Sequence, residues 1–335
     1  MFAAACHAVA AQREVTDDQL SADMAEAARR FLGALPADQR ARAQFAFADA
    51  ERLNWHYIPR ERRGVPIGEL AAAQRQLANG FLATALGRRG LLKATAIMAL
   101  EEVLRERELG RGTFVRDPGA YYLSVFGEPS TTSTWGWRLE GHHLSLNLTL
   151  AAGQHPIAAP TFLGASPSPA TTGILAGTHV LGREEELGFA LAASLDPAQR
   201  RAAIYTATAP EDILLEPGAA TTDLPGLGAG EMTAAQLAQL AALVDEAVES
   251  LPRELADRER AKLEGTMTAI VFTWAGATVP GQPHYFRIAG PSFIYELDNT
   301  QDHATHVHTG WHTRGNDFGV DSLREHVRRD HGGGL

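Results

Sequence analysis

Residues 121 to 150 read YYLSVFG at 121–127, a polar loop, WGWRLEG at 135–141 and HHLSLNLTL at 142–150. Each segment is rich in aromatic and branched residues and is bounded by glycine or polar turn residues. That pattern predicts a three-stranded antiparallel meander. The same grammar returns as IVFTWAG at 270–276, HYFRIAG at 284–290 and PSFIYELDN at 291–299. A constant offset of 149 residues places Gly127 on Gly276, Arg138 on Arg287 and Gly141 on Gly290 without a gap. Gap-free spacing over three strands predicts an internal duplication. The alternative is two lobes that share only common helix and hairpin patterns.

Helical segments precede each meander. Leu35-Pro-Ala-Asp-Gln39-Arg40 has its counterpart in Leu195-Asp-Pro-Ala-Gln199-Arg200, and Gly68-Glu69-Leu70 in Gly230-Glu231-Met232. Asp196-Pro197 is a strong helix start, a capping residue followed by proline at the first helical position. Thr233 and Gln236 have the spacing of a capping box. Leu237, Leu240, Leu243, Val244 and Val248 then recur at helical spacing, a stripe that predicts core. The expected fold class is therefore α+β, with two pseudo-symmetric repeats, each of helices followed by a three-stranded antiparallel sheet. The expected boundaries are a first repeat over 15–150, a Pro/Gly/Ser/Thr-rich crossover linker over 151–183, a second repeat over 184–299, and a His-rich extension over 300–335. The extension has no evident counterpart in the first repeat, and a short helix is expected over 320–329 before the closing glycines.

Composition limits the function. The 335 residues are 45% hydrophobic, which suffices for a large core, and carry a formal net charge of −10. No basic patch with interleaved aromatics stands out, so nucleic acid is not expected as a partner. Lys93 and Lys262 are the only two lysines, which argues against Schiff-base chemistry. Cys6 is the single cysteine, so neither an internal disulfide nor a thiolate metal site is expected. No apolar run reaches the roughly 18 residues of a membrane span, and the N-terminus lacks the pattern of a signal peptide. Cytoplasmic residence is the resulting expectation. The Gly226-Leu-Gly228-Ala-Gly230 run resembles a phosphate loop, but no strand is expected before it, and it reads as the start of a helix.

The chemistry concentrates in His303-Ala-Thr-His306-Val-His308-Thr-Gly-Trp311-His312. On a strand, residues two apart share a face, so His306 and His308 offer two imidazoles side by side. In the first repeat His143, Ser145 and Asn147 share a polar strand face, and in the second Ser292, Ile294, Glu296 and Asp298 do so. Convergence of the two faces would join His143, His306 and His308 as metal ligands, with Glu296 as fourth ligand or general base. His142, Asn147, His312 and Asp317 are supporting or alternative ligands. Arg138 and Arg287 are candidate clamps for an anionic substrate, or else neutralise Glu140 and Glu296. A mixed imidazole and carboxylate set suits zinc or iron first, with copper or manganese as alternatives. His326 and His331 read as tail residues.

These same residues carry a family resemblance. WRLEGHHLSLN at 137–147, PTFLGA at 160–165, Gly290-Pro291 with Glu296, and HVHTGW at 306–311 with NDFG at 316–319 resemble the family catalogued as domain of unknown function 3500. The resemblance covers most of the chain and implies no reaction. At His312-Thr313 the chain departs from the family pattern, in which Arg-Asp is common after the tryptophan. The expectation is thus a soluble metal-dependent enzyme, hydrolytic, lyase or oxidative, acting between the two repeats on a small molecule, anionic if Arg138 and Arg287 are its clamps. The alternatives are a non-catalytic protein that binds a metal or small ligand, and a metal-free proton-transfer site of histidines with Glu296.

Overall fold

The computed structural model describes residues 17–322, apart from Gly110 and Ala220. Cys6, His326, His331 and the part of the expected C-terminal helix beyond Ser322 lie outside the described residues. The α-helices are α1 (Asp17–Gly33), α2 (Ala37–Ala43), α3 (Ala72–Ala85), α4 (Arg88–Glu108), α5 (Gly182–Ser194), α6 (Pro197–Ala203), α7 (Ala234–Val248) and α8 (Arg253–Glu264). The first-half strands are β1 (Gln44–Phe45), β2 (Val65–Pro66), β3 (Tyr122–Phe126), β4 (Trp135–Gly141), β5 (Leu144–Leu150) and β6 (Thr161–Ala165). The second half has β7 (Ile204–Thr206), β8 (Leu227–Gly228), β9 (Val271–Gly276), β10 (His284–Ala289), β11 (Phe293–Gln301) and β12 (His306–Thr313). Helices and a large mixed sheet make the fold α+β. No helix among the described residues is long and apolar enough to cross a membrane.

The expected two separate sheets are instead one. The strand order is β1-β3-β4-β5-β6-β12-β11-β10-β9-β7, with β2 also on β3 and β8 also on β9. The order reads the same from either edge: a short parallel strand, a three-stranded meander, then one further strand. Those further strands, β6 and β12, pair antiparallel from Val307↔Ala165 to Trp311↔Thr161 and fuse the halves. The stretch 151–183 is therefore no mere linker, because it carries a central strand. Its composition conceals this: five strand residues stand among prolines, which cannot donate to a ladder. The C-terminal extension likewise has a positional counterpart, since β12 stands to β11 as β6 stands to β5.

Side-chain alternation divides the sheet into two buried faces. Trp135, Trp137, Leu139, Leu144, Leu146 and Leu163 from the first half, with Phe272, Trp274, Phe286, Tyr295, Leu297 and Val307 from the second, meet the helices in one continuous core. The capping box of Asp196 and Gln199 on α6 and that of Thr233 and Gln236 on α7 form as the sequence predicts. The opposite face carries Ser124, Arg138, Glu140, Ser145, Asn147, Thr273, Arg287, Glu296 and Asp298, all buried. Two loops cover it instead of α-helices, the first with a single 3-10 turn at Ala50–Leu53. The loop over 46–63 is tied down where Arg138 donates to the Glu51 carbonyl and Glu140 accepts from the His56 amide. The loop over 207–226 is held where Arg287 donates to the Thr222 carbonyl and Glu296 accepts from the Leu214 amide. Trp55 and Tyr57 of the first loop and Ile213 of the second meet over Phe162, closing a small apolar cluster above the β6–β12 seam.

Candidate metal centre

His143 enters the site from a turn. The register ends at Gly141↔Leu144, so His142 and His143 form the two-residue β4–β5 connection and not the start of a strand. His143 has φ 63°, a left-handed conformation ordinarily left to glycine. Strain of this kind persists where the surroundings enforce it. Here the His143 amide donates to the Tyr57 carbonyl at 2.9 Å, and its carbonyl accepts from the Gly164 amide at 2.7 Å. Tyr121 adds a hydroxyl donated to the His142 carbonyl at 2.9 Å.

The other two imidazoles come from β12, on the polar face. The β11–β12 turn runs through Asp302, His303 and Ala304, all with positive φ. It places the Asp302 carboxylate 3.0 Å from His306 Nδ1. His308 lies opposite Asp298 on β11 and opposite Gly164 on β6. Gly164 is the reason two rings fit: a Cβ there would lie 2.8 Å from His308 Cδ2 and 3.1 Å from His143 Cδ2. One nitrogen from each of His143, His306 and His308 lies within 4.8 Å of the others, a spacing that could hold a metal ion.

Hydrogen bonding directs the nitrogens. His308 Nδ1 faces the Asp212 carboxylate at 2.8 Å and that of Asp298 at 3.2 Å, while its Nε2 is buried without a hydrogen-bond partner. His306 Nδ1 faces Asp302, and its Nε2 is 2.7 Å from His143 Nε2. Carboxylates behind Nδ1 with Nε2 turned inward is the arrangement that orients metal-binding histidines. The 2.7 Å contact is itself a hydrogen bond between the two rings. Two nitrogens on one tetrahedral zinc, each at about 2.0–2.1 Å, stand roughly 3.3 Å apart. Accepting an ion thus requires the two rings to part by about 0.6 Å.

The electrostatics differ within the cluster. Burial, with neighbouring His142 and the other imidazoles, holds His143 well below its ordinary pKa. Burial and His308 lower His306 to about 4. Burial pushes His308 the same way, but the Asp298 and Asp212 carboxylates outweigh it and raise His308 to about 9. Burial in turn raises Asp298 to about 6 against the pull of His308. Tyr57, stacked on Phe162 at 3.8 Å between ring centroids, directs its hydroxyl to Asp212 at 3.3 Å. Burial and the Asp212 charge push its phenol up.

Other residues singled out from the sequence stand elsewhere. Glu296 is fully buried and bound by Arg287 at 3.0 Å, by the Tyr285 hydroxyl at 3.0 Å and by the Leu214 amide. It belongs neither to the His143, His306 and His308 group nor to a second potential ligand group of Asp212, Asp298 and His308, and the β11 carboxylate that reaches His308 is Asp298, two residues on along the same face. Arg138 pairs with Glu51 and with Glu140 at 3.2 Å, and Arg287 with Glu296, so both guanidiniums are buried against carboxylates beneath the loops, the neutralising alternative of the two expected for them. Asn147 donates to Ser145 and to the Pro160 carbonyl, away from the imidazoles. His312 Nδ1 faces Asp317 at 2.7 Å and its Nε2 faces the Leu215 carbonyl at 3.1 Å, so both ring nitrogens are engaged outside the cluster. Asp317 thus orients His312, within the short turn expected of Asn316-Asp317-Phe318-Gly319. His142 stacks on His143 at 3.7 Å between ring centroids and turns Nδ1 to Glu101.

The family model for proteins of unknown function named DUF3500 matches residues 17–320. The chain belongs to the DUF3500 family. The match takes in every residue of the cluster, from Tyr57 and His143 to His308. No curated protein and no solved structure matches the chain.

The residues that sequence reasoning missed are Asp212, Asp302, Glu101 and Gly164. Asp298 was on the correct face but passed over. The spacing from Asp298 to His308 across one tight turn carried that signal, since hairpin register follows from loop length. Asp212 lies in an irregular loop, and no periodicity marks it.

Proposed function

We propose that His143, His306 and His308 bind a divalent transition metal, zinc or iron, and that the protein is a metal-dependent enzyme acting on a small molecule. The observation that carries this reading is His308. It is a fully enclosed imidazole, held from behind by two carboxylates, with an unpartnered Nε2 on the side of His143 and His306. A buried polar atom without a partner is costly, and a ligated ion would satisfy it. Three protein nitrogens leave a coordination position open for water or substrate, as catalytic sites do and closed structural sites do not. When bound, such an ion supplies Lewis acidity or, as iron, redox chemistry. His306 and His308 keep their orientation through Asp302, Asp212 and Asp298, and the loops bearing Tyr57 and Asp212 exclude water from one side. The mirrored strand order supports the further reading that the two halves are repeats of one unit, with chemistry retained at one end of the β6–β12 seam.

Elemental analysis of protein purified without a histidine tag tests this. The expected result is about one equivalent of zinc or iron per chain, lost on substitution His306→Ala or His308→Ala. Less than about 0.2 equivalents of any transition metal, with no uptake on titration, refutes it.

A further inference from the structure

A cleft of about 490 Å³ opens beside the imidazole cluster, bordered by Arg60, Glu101, Phe114, Arg116, Tyr121, Tyr122 and His142. His142 is the wall between them, because its other flank stacks on His143. The hydrogen bonds of His142 determine what the cleft offers. Its Nδ1 lies 2.5 Å from the buried Glu101 carboxylate and 3.2 Å from Arg116 Nη1. One nitrogen cannot donate to the carboxylate and accept from the guanidinium at once. The shorter, charge-assisted contact to Glu101 fixes the proton on Nδ1. Two consequences follow for the cleft. His142 Nε2 keeps its lone pair as an acceptor. Arg116, whose Nε and Nη2 are taken by Glu108, has no acceptor for its Nη1 protons among the described residues once His142 Nδ1 is itself a donor. Arg60, at the rim, has no carboxylate partner among the described ion pairs, whereas Arg62 is spent on Glu140. Phe114, Tyr121 and Tyr122 supply aromatic wall, and the carboxylates of Glu61 and Asp117 also border the cleft.

We infer that this cleft, separated by His142 from the metal site proposed above, binds a small carboxylate with an apolar body and a hydroxyl or other proton donor. Its carboxylate meets Arg116 Nη1, its donor meets His142 Nε2, and its apolar body lies against Phe114, Tyr121 and Tyr122. This assigns to Arg116 the anion-binding role that Arg138 and Arg287, buried in their own ion pairs, do not fill.

The test uses mandelate as probe and diethyl pyrocarbonate as a reporter of free imidazole nitrogen. Zinc-treated full-length protein is modified with and without mandelate, the sites are read by mass spectrometry, and zinc content is measured on the same samples. His142 is expected to react ahead of His143, His306 and His308. Mandelate is expected to slow His142 modification about tenfold, and Arg116→Gln to abolish that protection, as loss of one charge-assisted hydrogen bond implies. Glu101→Gln is expected to slow the reaction of His142 without mandelate by releasing its tautomer. A His142 that is inert, or protection that persists in Arg116→Gln, overturns the assignment. Zinc content answers separately: protein without zinc but with mandelate-protected His142 refutes the metal centre and retains the cleft, and the converse refutes the cleft alone.

Discussion

Gly164→Ala isolates the packing on which the imidazole cluster depends. Gly164 is not at positive φ, so alanine meets no backbone penalty and acts through its methyl group alone. That methyl would stand 2.8 Å from His308 Cδ2, 3.1 Å from His143 Cδ2 and 3.2 Å from His143 Cβ, against ordinary contacts of 3.4–4 Å. Relief requires His308 to retreat by about 0.6 Å, yet ligand distances in a metal site tolerate only about 0.2 Å. His308 is also fixed from behind by Asp212 and Asp298, and His143 by two backbone hydrogen bonds, so neither ring can yield without breaking a contact. Overpacking of this kind costs about 1–3 kcal/mol of stability. The metal affinity should fall about 10–100-fold, the range seen when the orientation of ligands is disturbed. Chelator competition measures the affinity and denaturant unfolding the stability. Gly310→Ala is the control: on the same face of the neighbouring strand β12, two residues after His308, its methyl meets only the end of the Ile213 side chain at 3.2 Å, which can rotate away. Wild-type metal affinity in Gly164→Ala, or equal losses in both variants, would refute the reasoning.

Asp302→Asn removes the carboxylate behind His306 Nδ1 and should weaken metal binding about tenfold in the same competition assay, with little change in unfolding midpoint. Glu296→Gln should behave oppositely. It leaves the buried Arg287 charge unpaired and should cost about 3–5 kcal/mol in denaturant unfolding while metal occupancy stays at the wild-type level. His179 is raised by its hydrogen bond to Glu185 against the effect of burial. A raised folded-state value means its stabilisation is present below the unfolded pKa of about 6.5 and is lost as pH rises through the folded value. Half-exposure limits that contribution to under about 1 kcal/mol. Melting curves of wild type and His179→Gln from pH 6 to pH 8.5 should converge as pH rises, and parallel curves would contradict the pairing.

The meanders were legible because strand alternation and bounding glycines are local properties, and β3–β5 and β9–β11 form within 121–150 and 270–299 as parts of one sheet. The exception is instructive. His142 and His143 read as strand residues, since neither turn position is itself a glycine or asparagine and Gly141 before them reads as the end of the preceding strand. Their conformation is imposed by Tyr57, Tyr121 and Gly164, which are remote in sequence or lie on another strand. The polar strand face was equally visible, but its meaning was not. Buried arginine and glutamate at 138, 287 and 296 have the same signature in sequence whether they meet a substrate or a loop carbonyl.

The amino-acid sequence by itself determined the class of fold, the two meanders, the capped helices and the pairing of His306 with His308 on one face, because each depends on residues within a few positions of one another. Tertiary structure alone decided that β6 and β12 fuse the halves into one sheet. It also decided that His143 reaches β12 from a strained turn, that Asp212 and Asp298 back His308, and that Glu296 is consumed by Arg287. Those outcomes depend on which distant segments share a register, and on which buried charge finds its partner first, and no local pattern encodes either.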